Sequence, residues 1–231
     1  MASIEPRVSG AIPVRDGEAH LAGAIESMLA QTHPPAEIVV VDNGSTDGTR
    51  AVAERYAPQV RVVEEPTPGI GPARNAALAA VSGDYIGFLD CDDRWLPRKT
   101  ELQLEAFATD PDLDIVFGHV EQVLSDDLDP GLAVRLKVRE GPQPALNIGA
   151  MLAPLGVWRQ VGPWQGEFRA ADMLDWLLRA RRLGLRERML PDLVVTRRIH
   201  GANQSFGNHA DRGEWARLLK GAIDERRRER E

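Results

Sequence analysis

Two aspartates one residue apart, Asp90 and Asp92, close the apolar run Tyr85-Ile86-Gly87-Phe88-Leu89. Carboxylate oxygens at that spacing suit a hard cation such as Mg2+ or Mn2+, which keeps open positions for phosphate oxygens. The competing reading is a solvated acidic turn capping a helix that begins near Pro97. A further acid, Asp42, ends the run Glu37-Ile38-Val39-Val40-Val41 and is followed by Asn43-Gly44-Ser45-Thr46-Asp47-Gly48. Beside a turn of such small residues, a carboxylate can accept hydrogen bonds from a base or a ribose. It can also start a helix, although Ser45 or Thr46 is better placed for that cap. Arg74 and Asn75 fall at the start of a helical stretch, where both the helix N-terminus and a guanidinium favour diphosphate oxygens. A surface arginine is the plain alternative.

These groups need a scaffold that brings strand ends together. Over the first third of the chain, short apolar runs alternate with amphipathic ones, the pattern of strand–helix–strand units that build a parallel sheet. Strands are expected at 8–14, 37–42, 60–63 and 85–89. Helices are expected at 17–31, from the Asn43–Gly48 turn to about Tyr56, and at about 70–81. In the first of these, Leu21, Ala24, Ile25, Met28 and Leu29 recur on a 3.6-residue period. In such open α/β sheets ligands bind beyond the carboxyl ends of the strands, where Asp42 and Asp90 fall. The second half is less regular. A strand over 114–123, an excursion without periodicity over 125–144, a strand over 148–152 and a helix over 170–183 are expected. In that helix Leu174, Leu177, Leu178 and Leu183 would face inward. A late strand over 194–200 and a C-terminal helix follow. Five tryptophans, notably Trp158, Trp164 and Trp176, are assigned to the core.

The 231 residues are enough to bury a full α/β core, and 43% hydrophobic with 27% charged residues is a globular balance. A net charge of −7 argues against general nucleic-acid binding, which demands a basic surface. The tail Arg226-Arg227-Arg228-Glu229-Arg230 is the local exception, read as a solvated helix end. One cysteine, Cys91, rules out an internal disulfide. No apolar run reaches the length of a membrane span and the N-terminus lacks a signal pattern, so a cytoplasmic location is expected.

Taken in order and at their spacing, four stretches resemble glycosyltransferase family 2. They are Ile12-Pro13-Val14, Val41-Asp42-Asn43-Gly44-Ser45-Thr46-Asp47-Gly48-Thr49, Gly71-Pro72-Ala73-Arg74-Asn75 and Phe88-Leu89-Asp90-Cys91-Asp92-Asp93-Arg94-Trp95-Leu96-Pro97. Ordered co-occurrence is far more specific than any single motif. Weaker likeness runs through Gly149-Ala150-Met151-Leu152, the 172–179 helix and Arg197-Arg198-Ile199-His200-Gly201. The resemblance implies a GT-A type, Rossmann-like α/β/α sandwich with a mainly parallel central sheet. It implies one domain, with about 1–110 serving a nucleotide sugar, about 111–210 an acceptor, and 211–231 a C-terminal helix or tail.

By that resemblance Pro13 and Val14 line the base pocket, Asp42 holds base or ribose, and Gly71 and Arg74 lie by the diphosphate. Asp90 contacts ribose or a metal-bound water, Asp92 is the more direct ligand of Mn2+ or Mg2+, and His200 reaches the metal or diphosphate. The catalytic base is where the chain departs from its relatives. Aligning Asp175-Trp176 places Met173 where a catalytic aspartate usually stands. Asp172 and Asp175 share one helix face, and either could meet the acceptor hydroxyl. Asp172, nearer the helix start, is preferred; a helix-dipole charge and a buried structural acid are the alternatives. The implied activity is inverting transfer from a nucleotide diphosphate sugar, UDP-sugars favoured, to a hydroxyl on a saccharide, lipid, peptide or small metabolite. A silent nucleotide-sugar binding protein and a nucleotidyltransferase are the rival readings. No G-x-G-x-x-G follows the first strand, which disfavours a nicotinamide dehydrogenase.

Overall fold

The computed structural model describes residues 5–125, 138–165 and 171–200, with Leu128, Gly131, Gly213, Glu214, Leu218 and Lys220 as isolated positions. Four strands, β1 (Val8–Val14), β2 (Glu37–Asp42), β3 (Val60–Glu64) and β4 (Tyr85–Phe88), pair in parallel in the order β3-β2-β1-β4. A two-residue strand, β8 (Ala153–Pro154), adds antiparallel to β4. β1 lies at the centre and all seven of its residues are buried. That is why it and β2 read as near-continuous apolar runs, since both faces of a parallel sheet are covered.

Helix α1 (Leu21–Leu29) covers one face, with Leu21, Ala24, Ile25 and Met28 buried in the expected stripe. Burying Leu21, Ile25 and Met28 contributes about 1.5–3 kcal/mol each. Helix α2 (Thr49–Glu54) precedes β3, and α3 (Ile70–Ala80) packs on β1 and β2 through Ala73, Arg74 and Ala77. Gly69, with φ of +128°, lets the chain turn into α3 in a conformation closed to residues with a Cβ. Ser45 and Thr46 do not cap α2, contrary to expectation: Gly48 occupies the cap position. The hydroxyls of Ser45 and Thr46 are drawn instead to the loop after β1, where Asp16 N donates to Ser45 Oγ (3.0 Å) and Thr46 donates to Asp16.

A second sheet has the order β5-β9-β6-β7, formed by β5 (Arg94–Trp95), β6 (Ile115–Leu124), β7 (Gln143–Pro144) and β9 (Glu187–Ile199). β6 and β9 run parallel while both edges are antiparallel. Leu152 joins the two sheets by exchanging backbone hydrogen bonds with Val116 (2.9 and 3.0 Å). Helix α4 (Lys99–Thr109) lies before β6; the short α5 (Leu155–Val161) and α6 (Asp172–Arg182) lie between β8 and β9. The expected core role is borne out for Trp95, Trp158, Trp164 and Trp176, while Trp215 lies outside the described residues. Trp158 and Trp176 have centroids 4.4 Å apart, and Phe88 and Trp164 pack against them.

Two expectations for the second half are corrected. Residues 148–152 are not a strand: 148–150 form a 3-10 turn begun by Asn147, whose Oδ1 accepts from Gly149 N (2.8 Å). Side chains take the carbonyls that a ladder would use. Trp95 Nε1 donates to Gly149 O, Gln103 Nε2 to Ala150 O and Lys99 Nζ to Met151 O. In α6 only Leu177 of the four expected leucines is buried, and Leu183 is 49% exposed. The inward face consists of Asp172, Asp175, Trp176, Leu177 and Ala180. Acids can turn inward there because arginines meet both of them. Half of the excursion over 125–144 lies outside the described residues, and its end is not irregular but forms β7 (Gln143–Pro144); Gly201 and the arginine-rich tail also lie outside the described residues. Of the C-terminal helix, the described positions 213, 214, 218 and 220 are helical. No helix among the described residues is long and apolar enough to cross a membrane.

Candidate functional site

Strand order reverses beside β1: β2 and β3 lie on one side of it and β4 on the other. A crevice opens beyond the carboxyl ends at such a switch point, the usual ligand site of open α/β sheets. The loops after β1 and β4 flank this end of the sheet. The pairing of β4 with β1 extends to the Leu89 N–H, which donates to Ala11 O (2.9 Å) and sends Asp90 out at the edge. Gly17 keeps the loop after β1 close-packed, because a Cβ there would stand 2.4 Å from Val14 Cγ2 and 3.1 Å from Cys91 Sγ on the loop after β4. Asp42 ends β2 on the other flank, in register with Val14, and Pro13 is paired with Val41. Asp42 and Asp90 thus bracket the end of β1 at a spacing of about 10 Å, two strand separations.

On the Asp42 side, Asp42 Oδ1 accepts from Ser45 N (2.9 Å). Asn43 ties the end of β2 to the segment before α3: its Nδ2 donates to Glu65 O and Thr67 O, and its Oδ1 accepts from Gly69 N. This fixes where α3 starts. Gly71 is buried in the first turn of that helix and Arg74 one turn further on.

The loop after β4 distributes its acids among different partners. Asp92 Oδ2 meets His200 Nε2 at 3.0 Å, across 108 positions of sequence. Asp93 is buried, with Oδ1 accepting from Arg198 N (3.0 Å), so it fastens the loop to β9 and brings His200 within reach. Its burial, reinforced by Asp90 and Asp92, pushes its pKa well above the usual carboxylate range. Enclosure also raises Asp90; Arg74 and Arg197 pull it down while Asp92 and Asp172 push it up. Burial and the three flanking carboxylates drive Cys91 up to about 12, so its thiol stays protonated and is no nucleophile at neutral pH. Trp95 returns across β4, where Gly87 admits its ring: a Cβ at 87 would stand 2.8 Å from it.

Arg74 joins the loop to α6. Its guanidinium pairs with Asp172 and lies 3.9 Å from Asp90 Oδ1, stacked 4.8 Å above the Trp164 ring. Asn75 exchanges two hydrogen bonds with the Trp164 backbone (3.0 and 2.8 Å), which holds that ring under Arg74. Asp172 is therefore part of the strand-end cluster. Asp175 is not: its carboxylate takes Arg179 Nε (2.9 Å), and Arg179 also donates to Val161 O and Pro163 O, where α5 ends.

The structure thus gathers Asp90, Asp172 and Arg74, sets Asp92 against His200, and leaves Asp175 in a helix–helix clamp. Among the described residues no three carboxylate, imidazole or thiol groups converge to enclose a cation unaided. What Asp92 and His200 offer is one oxygen and one nitrogen donor in contact. That suits Mg2+ or Mn2+, which draw remaining ligands from water and substrate phosphates. Sequence reasoning missed two participants. His20, at the start of α1, stacks on His200 with centroids 5.3 Å apart, and Asp93 serves as the anchor. Asp93 stood in the acidic run without a role, and His20 carries no spacing signal.

The family model described as Glycosyl transferase family 2 matches residues 9–135. The chain is 38% identical over 109 residues to the putative teichuronic acid biosynthesis glycosyltransferase TuaG of Bacillus subtilis, covering 46% of this chain and 43% of that one. Among solved structures it is similar to S. aureus TarS 1-349 in complex with UDP-GlcNAc (TM-score 0.72, 19% identity, 94% of this chain and 65% of that one). It is also similar to the mannosyltransferase PcManGT from Pyrobaculum calidifontis in complex with GDP-Man and Mn2+ (TM-score 0.68, 23% identity, 98% and 65%). These structural likenesses bear out the expected GT-A fold. The chain spans less than half the length of the curated relatives it matches.

Proposed function

Because the chain belongs to glycosyl transferase family 2, we propose that it transfers a sugar from a nucleotide diphosphate donor to an acceptor hydroxyl, with inversion at the anomeric carbon. The observation that carries this reading is the convergence, beyond β1 and β4, of Asp90, Asp172 and Arg74 beside the Asp92–His200 pair. Residues up to about 110 serve the donor and those from about 111 the acceptor, within one cytoplasmic domain.

Pro13 and Val14 form the wall against which the base rests. Asp42, with Oδ1 already fixed by Ser45, presents Oδ2 to a base N–H or a ribose hydroxyl. UDP-sugars are favoured as donors, in keeping with the UDP-GlcNAc bound by the TarS neighbour. Asp90 faces the ribose and diphosphate, while Arg74 and the α3 N-terminus with Gly71 lend positive potential from beneath. A divalent cation, Mn2+ or Mg2+, held by Asp92 and His200 would neutralise charge gathering on the leaving diphosphate.

Asp172 is the acceptor's base. Arg74 pairs with its carboxylate and fixes it beside Asp90. As the acceptor oxygen bonds to the anomeric carbon, from the side away from the diphosphate, its proton passes to Asp172 and the bond to the diphosphate oxygen breaks. Asp175 is committed to Arg179 and has no such duty.

The test is a thermal-shift panel of UDP- and GDP-sugars with and without Mn2+, followed by nuclear magnetic resonance of the product's anomeric configuration. Specific donors raise apparent stability by mass action, and the rise should depend on Mn2+. Failure of every nucleotide sugar to stabilise the protein, or a product of retained configuration, would refute the proposal.

A further inference from the structure

A recess of about 340 Å3 lies beside β6 and β7, with Arg197 of β9 in its lining. This is within the range of small-molecule sites, about 300–1,000 Å3. Strand register accounts for its lining. Val120 is paired with Gln143 on one side and Val195 on the other, and Gln122 with Arg197 two residues on. Side chains alternate along a strand, so Val120, Gln122, Val195 and Arg197 share one face of the second sheet. Val120 and Val195 are buried in the core and give this face a rigid base. Arg139 and Asn147 add to the polar lining.

The chemistry of the lining is one-sided. It offers two guanidinium groups and three carboxamides, from Gln122, Gln143 and Asn147, and among its described residues neither a carboxylate nor an aromatic ring. Arg139 makes no ion pair among the described residues. A neutral sugar is commonly gripped by acids that accept its hydroxyl protons and by rings that stack on its face, and neither is present. Fixed guanidinium donors match the paired oxygens of a carboxylate or phosphate. Position adds to this: Arg197 precedes Arg198, whose backbone N–H donates to Asp93, so the recess lies one residue along β9 from the strand-end loop where transfer would occur.

We propose that this recess is an acceptor subsite for a sugar bearing a carboxylate or phosphate, whose anionic group is bound by Arg139 and Arg197. The assignment rests on the glycosyltransferase reading above. Methyl β-glucuronide, glucose 6-phosphate and methyl β-glucoside are titrated into the full chain, with and without UDP, for the wild type and for Arg139→Gln. At least one anionic probe should bind, and which one does distinguishes a uronate from a phosphosugar source. Arg139→Gln should weaken that probe about tenfold, the loss of one charge-assisted contact, and leave the weak affinity for the glucoside unchanged. The proposal is overturned if neither anion binds, if the glucoside binds as tightly as the anions, or if Arg139→Gln keeps wild-type affinity for them. Nucleotide-sugar binding, read on the same samples, separates the two conclusions. Donor binding without anion binding sinks the subsite alone, whereas anion binding without donor binding sinks the activity and with it the acceptor role.

Discussion

The loop after β4 and the first turn of α6 each carry a closely spaced pair of acids, Asp90 with Asp92 and Asp172 with Asp175, and each pair is split between two fates. On the loop, Asp92 goes to His200 and Asp90 toward Arg74. On the helix, Asp172 goes to the same Arg74, while Asp175 is taken by Arg179 four residues along its own helix. Side-chain type and burial do not separate Asp172 from Asp175, since both are 8% exposed. The partner does. A cation delivered from α3 draws Asp172 into the crevice, and a local cation keeps Asp175 in the packing between α5 and α6.

The largest effect that could break this comparison is on turnover. Asp172→Asn should lower kcat by about 10²–10⁴ with donor KM nearly unchanged, the usual cost of losing a general base; equal losses in Asp175→Asn would erase the distinction. His200→Gln should weaken Mn2+ binding in the presence of UDP at least about tenfold, read by electron paramagnetic resonance, and unaltered affinity would remove His200 from the metal set. Asp175→Asn should instead cost about 1–3 kcal/mol of stability in urea unfolding while kcat stays near wild type, because it deprives Arg179 of its ionic partner.

The smallest effect extends the comparison to a buried amine with no ionic partner among the described residues. Lys99 is fully buried over the Trp95 ring, held only by Gln103 and Met151 O, and burial drives its pKa well below the ordinary 10.5. Between the lowered folded value and 10.5 the unfolded chain binds the extra proton, so this residue makes stability rise with pH across that window. Relative to Lys99→Met, the wild type should gain about 1 kcal/mol per pH unit there, and parallel stability curves for the two proteins would contradict it.

The parallel half of the fold was legible because burial on both faces leaves apolar runs that end where strands end. β1 and β2 fall where expected, and the first helix differs only in its frayed ends. The second half resisted because side chains replace backbone partners there. Nothing local in residues 148–152 announces that Gln103, Lys99 and Trp95 will take their carbonyls. Nor does the leucine pattern of α6 reveal that arginines make its acidic face the inward one. At the site, single residues at strand ends could be picked out, but their pairing could not. That Arg74 meets Asp172 across 98 positions is decided by how α3 and α6 pack, and no spacing rule reaches that far.

The Asp93 bond to the Arg198 backbone has a consequence for the order of assembly. The four parallel strands all lie within residues 8–88, whereas the imidazole that faces Asp92 arrives only when β9 docks. Synthesis proceeds from the N-terminus, so a nascent chain holds all four parallel strands well before the Asp92–His200 contact can form. Under the proposed function, the metal site would then be the last part of the molecule to assemble.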